Sequence, residues 1–200
     1  MAKKAIVLLA EGFEEVEALT PVDYLRRCGV EVTVAATGPK LSVQGARGIK
    51  VAADATLKGL LKEKRLAPVG WDAVVCPGGL PGADNLAASK ETGTFLKEMA
   101  KAGKWVCAIC AAPARVLSPL GLLAGRNFTC FPGEEEKVLA SEGSPKAKWK
   151  KDRVVIDGNL ITSRGAGTAG EFACAIIGKL AGEDEAKKLA ERVLLLQGRK

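Results

Sequence analysis

KAIVLLA, residues 4–10, is apolar at almost every position and shows no alternation of polar and apolar side chains. A strand of that kind has to be covered on both faces, which restricts it to a sheet sandwiched between helices. The signature recurs: VEVTVAAT (30–37), DAVVCPGG (72–79) and KWVCAI (104–109) read as further strands, the last of them buried. Helical segments alternate with them. Thr20 followed by Pro21 offers an N-cap and a first-turn proline for a helix that Gly29 ends. ETGTFLKEMAKAG (91–103) predicts a second helix, stopped by its glycine. RVVIDGNLITSR (153–164) predicts a hairpin around Asp157-Gly158. EFACAIIGKLAG (171–182) and DEAKKLAERVLLLQG (184–198) predict closing helices, the second with Leu189, Val193 and Leu196 on one stripe. The expectation is one α/β domain over residues 1–200, a mainly parallel sheet between helical layers.

Two hundred residues suffice to bury a proper core. The start, MAKKAIVLLAEGFEE, runs from lysines through a short apolar stretch straight into acids, which predicts a first strand rather than an export signal. No apolar run reaches the roughly 18 residues that a membrane helix needs. A cytoplasmic protein without a membrane segment is expected, and its six cysteines then read as reduced thiols. The net charge of +7 favours anions in general. KAKWKKDR (146–153) interleaves Trp149 with basic residues, as a base-stacking surface would. It reads instead as a solvated loop leading into a strand, so no nucleic-acid partner is expected.

Ligands of such folds bind beyond the carboxyl ends of the strands. Three segments there carry unusual residues: EGFEEVE, CPGGLPG and AICAAP. In Ala108-Ile109-Cys110-Ala111-Ala112, small residues stand two positions either side of a nucleophilic side chain. That is the steric requirement of a nucleophile elbow, and Pro113 fits the first turn of the helix behind it. There, unpaired amides and the helix dipole would lower the pKa of Cys110, while Cys107 would lie inside the strand. A thioredoxin-like reading of CAIC would need its first cysteine at a helix start, and a zinc site would need more ligands than this chain offers. The amides of Pro77-Gly78-Gly79 and Ala111 would together form an oxyanion hole. Glu11, Glu14 and Glu15 read as a solvated loop, whereas the apolar neighbours of Glu17 suggest partial burial. A buried carboxylic acid keeps its proton and can donate a hydrogen bond to a thiolate. That matters because the chain has no histidine to activate the thiol.

AEGFEEVEALTPVDYLRRCGVEVTVA, VVCPGGLPGADNL, AICAAPA and LITSRGAGTAGEFA, in that order, resemble the ThiJ/PfpI superfamily, specifically its parkinsonism-associated protein deglycase branch. The resemblance implies a flavodoxin-like fold and a homodimer. It puts the reactive cysteine at Cys110, its hydrogen-bonding acid at Glu17, and oxyanion amides at Gly79 and Ala111. It also places Arg27 and Arg47 near the dimer contact, where they would help to hold an anion. One departure stands out. Members often carry a histidine near the thiol, in the segment matching Phe128-Thr129-Cys130-Phe131-Pro132, where this chain offers Cys130 and Phe131. Without histidine, the cysteine–histidine dyads of related peptidases and amidotransferases cannot be built. The function implied is a glutathione-independent glyoxalase or deglycase, needing no metal or cofactor and acting on a small α-oxoaldehyde such as methylglyoxal, or on its adducts. The alternative is an oxidative-stress sensor or chaperone-like protein that works through oxidation of Cys110.

Overall fold

A computed structural model describes residues 2–195. The chain opens with β1 (Lys4–Leu9), α1 (Glu15–Arg27) and β2 (Glu31–Ala36). A short ribbon follows, β3 (Ser42–Gln44) and β4 (Lys50–Ala52), then β5 (Ala55–Thr56) and α2 (Leu57–Lys62). β6 (Ala73–Cys76), α3 (Gly82–Ala88), α4 (Lys90–Lys101) and β7 (Trp105–Ile109) form the middle of the chain. Beyond it lie β8 (Asn127–Phe128), α5 (Glu135–Leu139), β9 (Lys148–Trp149), β10 (Val154–Asp157) and β11 (Leu160–Ser163). α6 (Ala169–Leu180) and α7 (Glu183–Arg192) close the fold.

Seven strands make the main sheet in the order β10-β11-β7-β6-β1-β2-β5, and only β10 runs antiparallel. Along β1 the side chains alternate between two apolar layers. Ile6 and Leu8 meet Leu57, Leu86, Phe95 and Met99 on one face, while Val7 and Leu9 meet Ala18, Leu25, Phe172 and Ile176 on the other. This two-sided burial is what the unalternating run required, and the three-layer α/β/α sandwich follows from it. The chain leaves β1 towards β2 and β5, then returns to β6 on the opposite side of β1. The carboxyl ends of β1 and β6 therefore flank the crevice where the winding order reverses, the usual ligand position in such sheets.

Four details differ from the sequence reading. Helix α1 begins at Glu15, not after Thr20, and Pro21 lies within it. The Glu14 carboxylate caps the helix by accepting from the Glu17 N–H at 2.8 Å, and burial of Ala18, Val22 and Leu25 holds it past the proline. Packing of an apolar face outweighs one missing N–H. The hairpin loop is Gly158-Asn159, because Asp157 still pairs with Leu160. The last helix ends at Arg192 with Leu189 buried, and Leu196 lies outside the described residues. Finally, Lys148–Trp149 is a strand, β9, beside β8, and the Trp149 ring packs against the core with its Nε1 buried. The tryptophan is therefore not displayed for stacking on a base.

Candidate active site

β7 is fully apolar and ends at Ile109, and the next residue, Cys110, has φ +65°. A non-glycine residue in that region is strained, and the strain is held from both sides. The Cys110 N–H donates to the Ser163 carbonyl at 3.0 Å, and its own carbonyl accepts from the Phe131 N–H at 2.8 Å. The elbow turns the thiol out of the sheet into a cavity of about 360 Å³, walled by Glu17, Arg47, Leu80, Phe131 and Glu134 among others. The segment behind it, Pro113–Leu117, is one π-type turn.

Glu17 sits in the first turn of α1 and is 1% exposed. Its Oε2 accepts from the Gly78 N–H at 2.9 Å, and its carboxyl is hydrogen-bonded to the Cys110 thiol. Burial pushes the Glu17 carboxyl up to about 7, although the bonds to Cys110 and Gly78 pull the other way. Burial, and then the Glu17 carboxylate beside it, push the Cys110 thiol up to about 12, opposed by the amides of Ala111 and Gly79. The expected low thiol pKa is thus corrected, because a single helical turn offers little dipole and the sulfur is shielded from water. Two interacting groups of this kind are best read as a pair. Burial raises both groups, so they lose their first proton later than a free carboxyl would, and the remaining proton is held between carboxyl and sulfur.

The glycine turn divides its work. The Gly78 N–H is already taken by Glu17, which corrects its assignment to an oxyanion hole, while the amides of Gly79 and Ala111 face the sulfur. A Cβ on Gly78 would come within 2.7 Å of Cys110 Cβ and 2.8 Å of Glu17 Oε2, so no other residue fits between acid and thiol. Gly79 has φ +87° and no room for a side chain against the backbone of residues 12–14.

The two predicted arginines are separated. Arg47 lies at the cavity, whereas Arg27 is at the far end of α1, paired with Asp23 at 2.7 Å. Ten residues of helix place Arg27 roughly 15 Å along the axis from Glu17. Glu15, read as solvated, is 4% exposed, and its Oε1 accepts from the N–H groups of Arg47 and Ile49 at 2.7 and 3.4 Å. It thereby ties the Arg47 loop to α1. Of the two residues in the histidine segment, Phe131 lines the cavity while Cys130 is fully buried in the core behind it. Burial pushes the Cys130 thiol up to about 12. Leu80 stood in the CPGGLPG turn and Phe131 in the segment where relatives carry a histidine, whereas Glu134 had no sequence signal of its own, because its loop reaches the site only through the fold.

The DJ-1/PfpI family model matches residues 3–179. Protein DJ-1 homolog B of Arabidopsis thaliana is 40% identical over 190 residues, covering 95% of this chain but only 41% of that longer protein. The glutathione-independent glyoxalase DJR-1.2 of Caenorhabditis elegans is 36% identical over 194 residues, covering 96% of this chain and 97% of its own. The crystal structure of Drosophila melanogaster DJ-1beta superposes with a TM-score of 0.88 at 36% identity, covering 98% of this chain and all of that one. The flavodoxin-like architecture is common to both structures.

Proposed function

The chain belongs to the DJ-1/PfpI family, and on that footing we propose that it is a cysteine-dependent glyoxalase and deglycase that works without glutathione. The observation that carries this reading is the buried Glu17 carboxyl facing the Cys110 thiol of the elbow in one cavity, in a chain without histidine. In the reactive tautomer the sulfur is a thiolate and Glu17 is the acid. The thiolate attacks the aldehyde carbon of methylglyoxal, and the carbonyl electron pair moves to oxygen, which takes the Glu17 proton. The amides of Gly79 and Ala111 favour charge at this position. Glu17, now a carboxylate, removes the C–H proton of the hemithioacetal to give an enediolate and returns it to the neighbouring carbon, while the hydroxyl proton on the former aldehyde carbon passes to the neighbouring oxygen. The former aldehyde carbon is thereby oxidised to a thioester and its neighbour reduced to a carbinol. Water hydrolyses the thioester to lactate and regenerates the thiol. Hemiaminal or hemithioacetal adducts on amines and thiols would release the same fragment to Cys110, which is the deglycase form of the reaction.

The test is lactate formation by the purified protein without glutathione. Multiple turnovers are expected, with a loss of about 100-fold or more in Glu17→Gln and of all turnover in Cys110→Ser. Unchanged kinetics in either variant would refute the proposal. The carboxyl–sulfur hydrogen bond also supports the sensor reading. Peroxide would oxidise the thiolate to a sulfenic and then a sulfinic acid, and Glu17 would hydrogen-bond the new oxygen. Single oxidation of Cys110 by intact mass, with no aldehyde turnover, would select it. We also take a cytoplasmic homodimer as the working form. Val16 and Ile49, 48% and 54% exposed, give α1 and the β3–β4 ribbon an apolar face to bury. Sedimentation velocity should report twice the chain mass, and a monomer at micromolar concentration would rule the dimer out.

A further inference from the structure

Phe131 and Leu80 line the cavity that holds the thiol, 50% and 51% exposed. Gly165 sits beside both the Phe131 ring and the acid: a Cβ there would lie 3.5 Å from Phe131 Cδ2 and 3.9 Å from Glu17 Oε1. The carboxylates at the rim are already engaged. Glu14 caps α1, and Glu134 is held by Arg115 and by Lys137 at 2.8 Å. Arg47 is the cation on this wall, its guanidinium donating to the Ala46 carbonyl at 3.4 Å, and the rest of the mouth meets a ligand chiefly as apolar surface. The cavity of about 360 Å³ is within the range of sites for larger ligands, and a three-carbon oxoaldehyde would fill a small part of it.

Arg115 sets the spacing of this mouth from the turn that follows the nucleophile. Its Nε and Nη2 donate to both oxygens of Glu134 at 3.0 Å, and its Nη1 donates to both oxygens of Asp84 at 2.8 and 3.0 Å. Glu134 follows Phe131 by three residues, and Asp84 lies in α3, four residues after Leu80. One planar guanidinium thus joins the elbow, the Leu80 turn and the Phe131 loop, a bidentate geometry that lysine could not reproduce.

We propose that the site selects 2-oxoaldehydes bearing a branched or bulky apolar substituent, which packs between Phe131 and Leu80, with Arg115 as the positioning residue for both. This rests on the glyoxalase reading above and names its substrate class. The experiment compares kcat/KM for isobutylglyoxal and methylglyoxal. The wild type should favour the isobutyl compound by about tenfold, since each buried methylene contributes about 0.8 kcal/mol and the group is only partly enclosed. The preference ratio should fall towards one in Phe131→Ala, in Leu80→Ala and, without any substrate contact, in Arg115→Gln. A ratio is insensitive to how much of a variant is folded. A wild-type ratio of one or less, or a ratio that Phe131→Ala leaves in place, would overturn the proposal. If no aldehyde is turned over, protection of Cys110 from iodoacetamide by the isobutyl hydroxy acid against lactate reads the same cavity. Stronger protection by the isobutyl compound would sustain the pocket assignment after the catalytic reading had failed, and equal or weaker protection would end it.

Discussion

The buried Glu17 costs the fold stability at neutral and higher pH. Its carboxyl is raised from 4.5 to about 7 in the folded chain, because burial disfavours the charged form. The folded state thus holds the proton more tightly than the unfolded one. The stabilisation is full below 4.5 and is lost as the pH rises through about 7. The difference, at about 1.36 kcal/mol per pH unit, is on the order of 3 kcal/mol. Urea unfolding at pH 5 and pH 8 should show the wild type losing stability against Glu17→Gln by about that amount. Turnover should move the other way, rising with pH through about 7 as the pair loses its first proton. A wild type and variant with parallel stability profiles would mean that the acid is not buried as described. At this scale the sequence was informative about Cys110 and Glu17, whose neighbours in the chain create their environments. It was misleading about the thiol pKa, which depends on an acid 93 positions away and on the shielding of the sulfur from water.

Among the elements, strands and glycine-ended helices were legible because their signals are local. The start of α1 was not, since the cap is a glutamate and the proline sits where a first turn would suit it. The same error hid Glu15, which an earlier helix start carries inward to the Gly45–Ile49 loop. Removing that acceptor in Glu15→Ala leaves two N–H groups without a partner and should cost about 1–3 kcal/mol. Because Arg47 is on the loop, trypsin should then cut after Arg47 markedly faster than in the wild type, while cleavage elsewhere keeps its rate. An unchanged digestion pattern would show that the ribbon holds the loop without Glu15. Arg115 was equally invisible: its partners, Asp84 and Glu134, lie 31 and 19 positions away, and no periodicity links them.

For the molecule as a whole, the order of strands and helices announced a sandwich, and four ordered motifs pointed to its family. The switch point between β1 and β6 then explains why those motifs are so far apart in the chain. Each marks the end of a different strand, and the sheet gathers those ends at one edge. The gathering sorts the residues by how firmly they are rooted. Cys110 continues a buried strand and Glu17 belongs to a helix packed on the sheet, whereas Leu80, Phe131 and Arg47 stand on connecting loops. On the proposed reading, such an arrangement separates the reacting machinery from the choice of what it reacts with. Loop replacements would then retune that choice while the Glu17–Cys110 pair stays in place, so the diet could change without a new stomach.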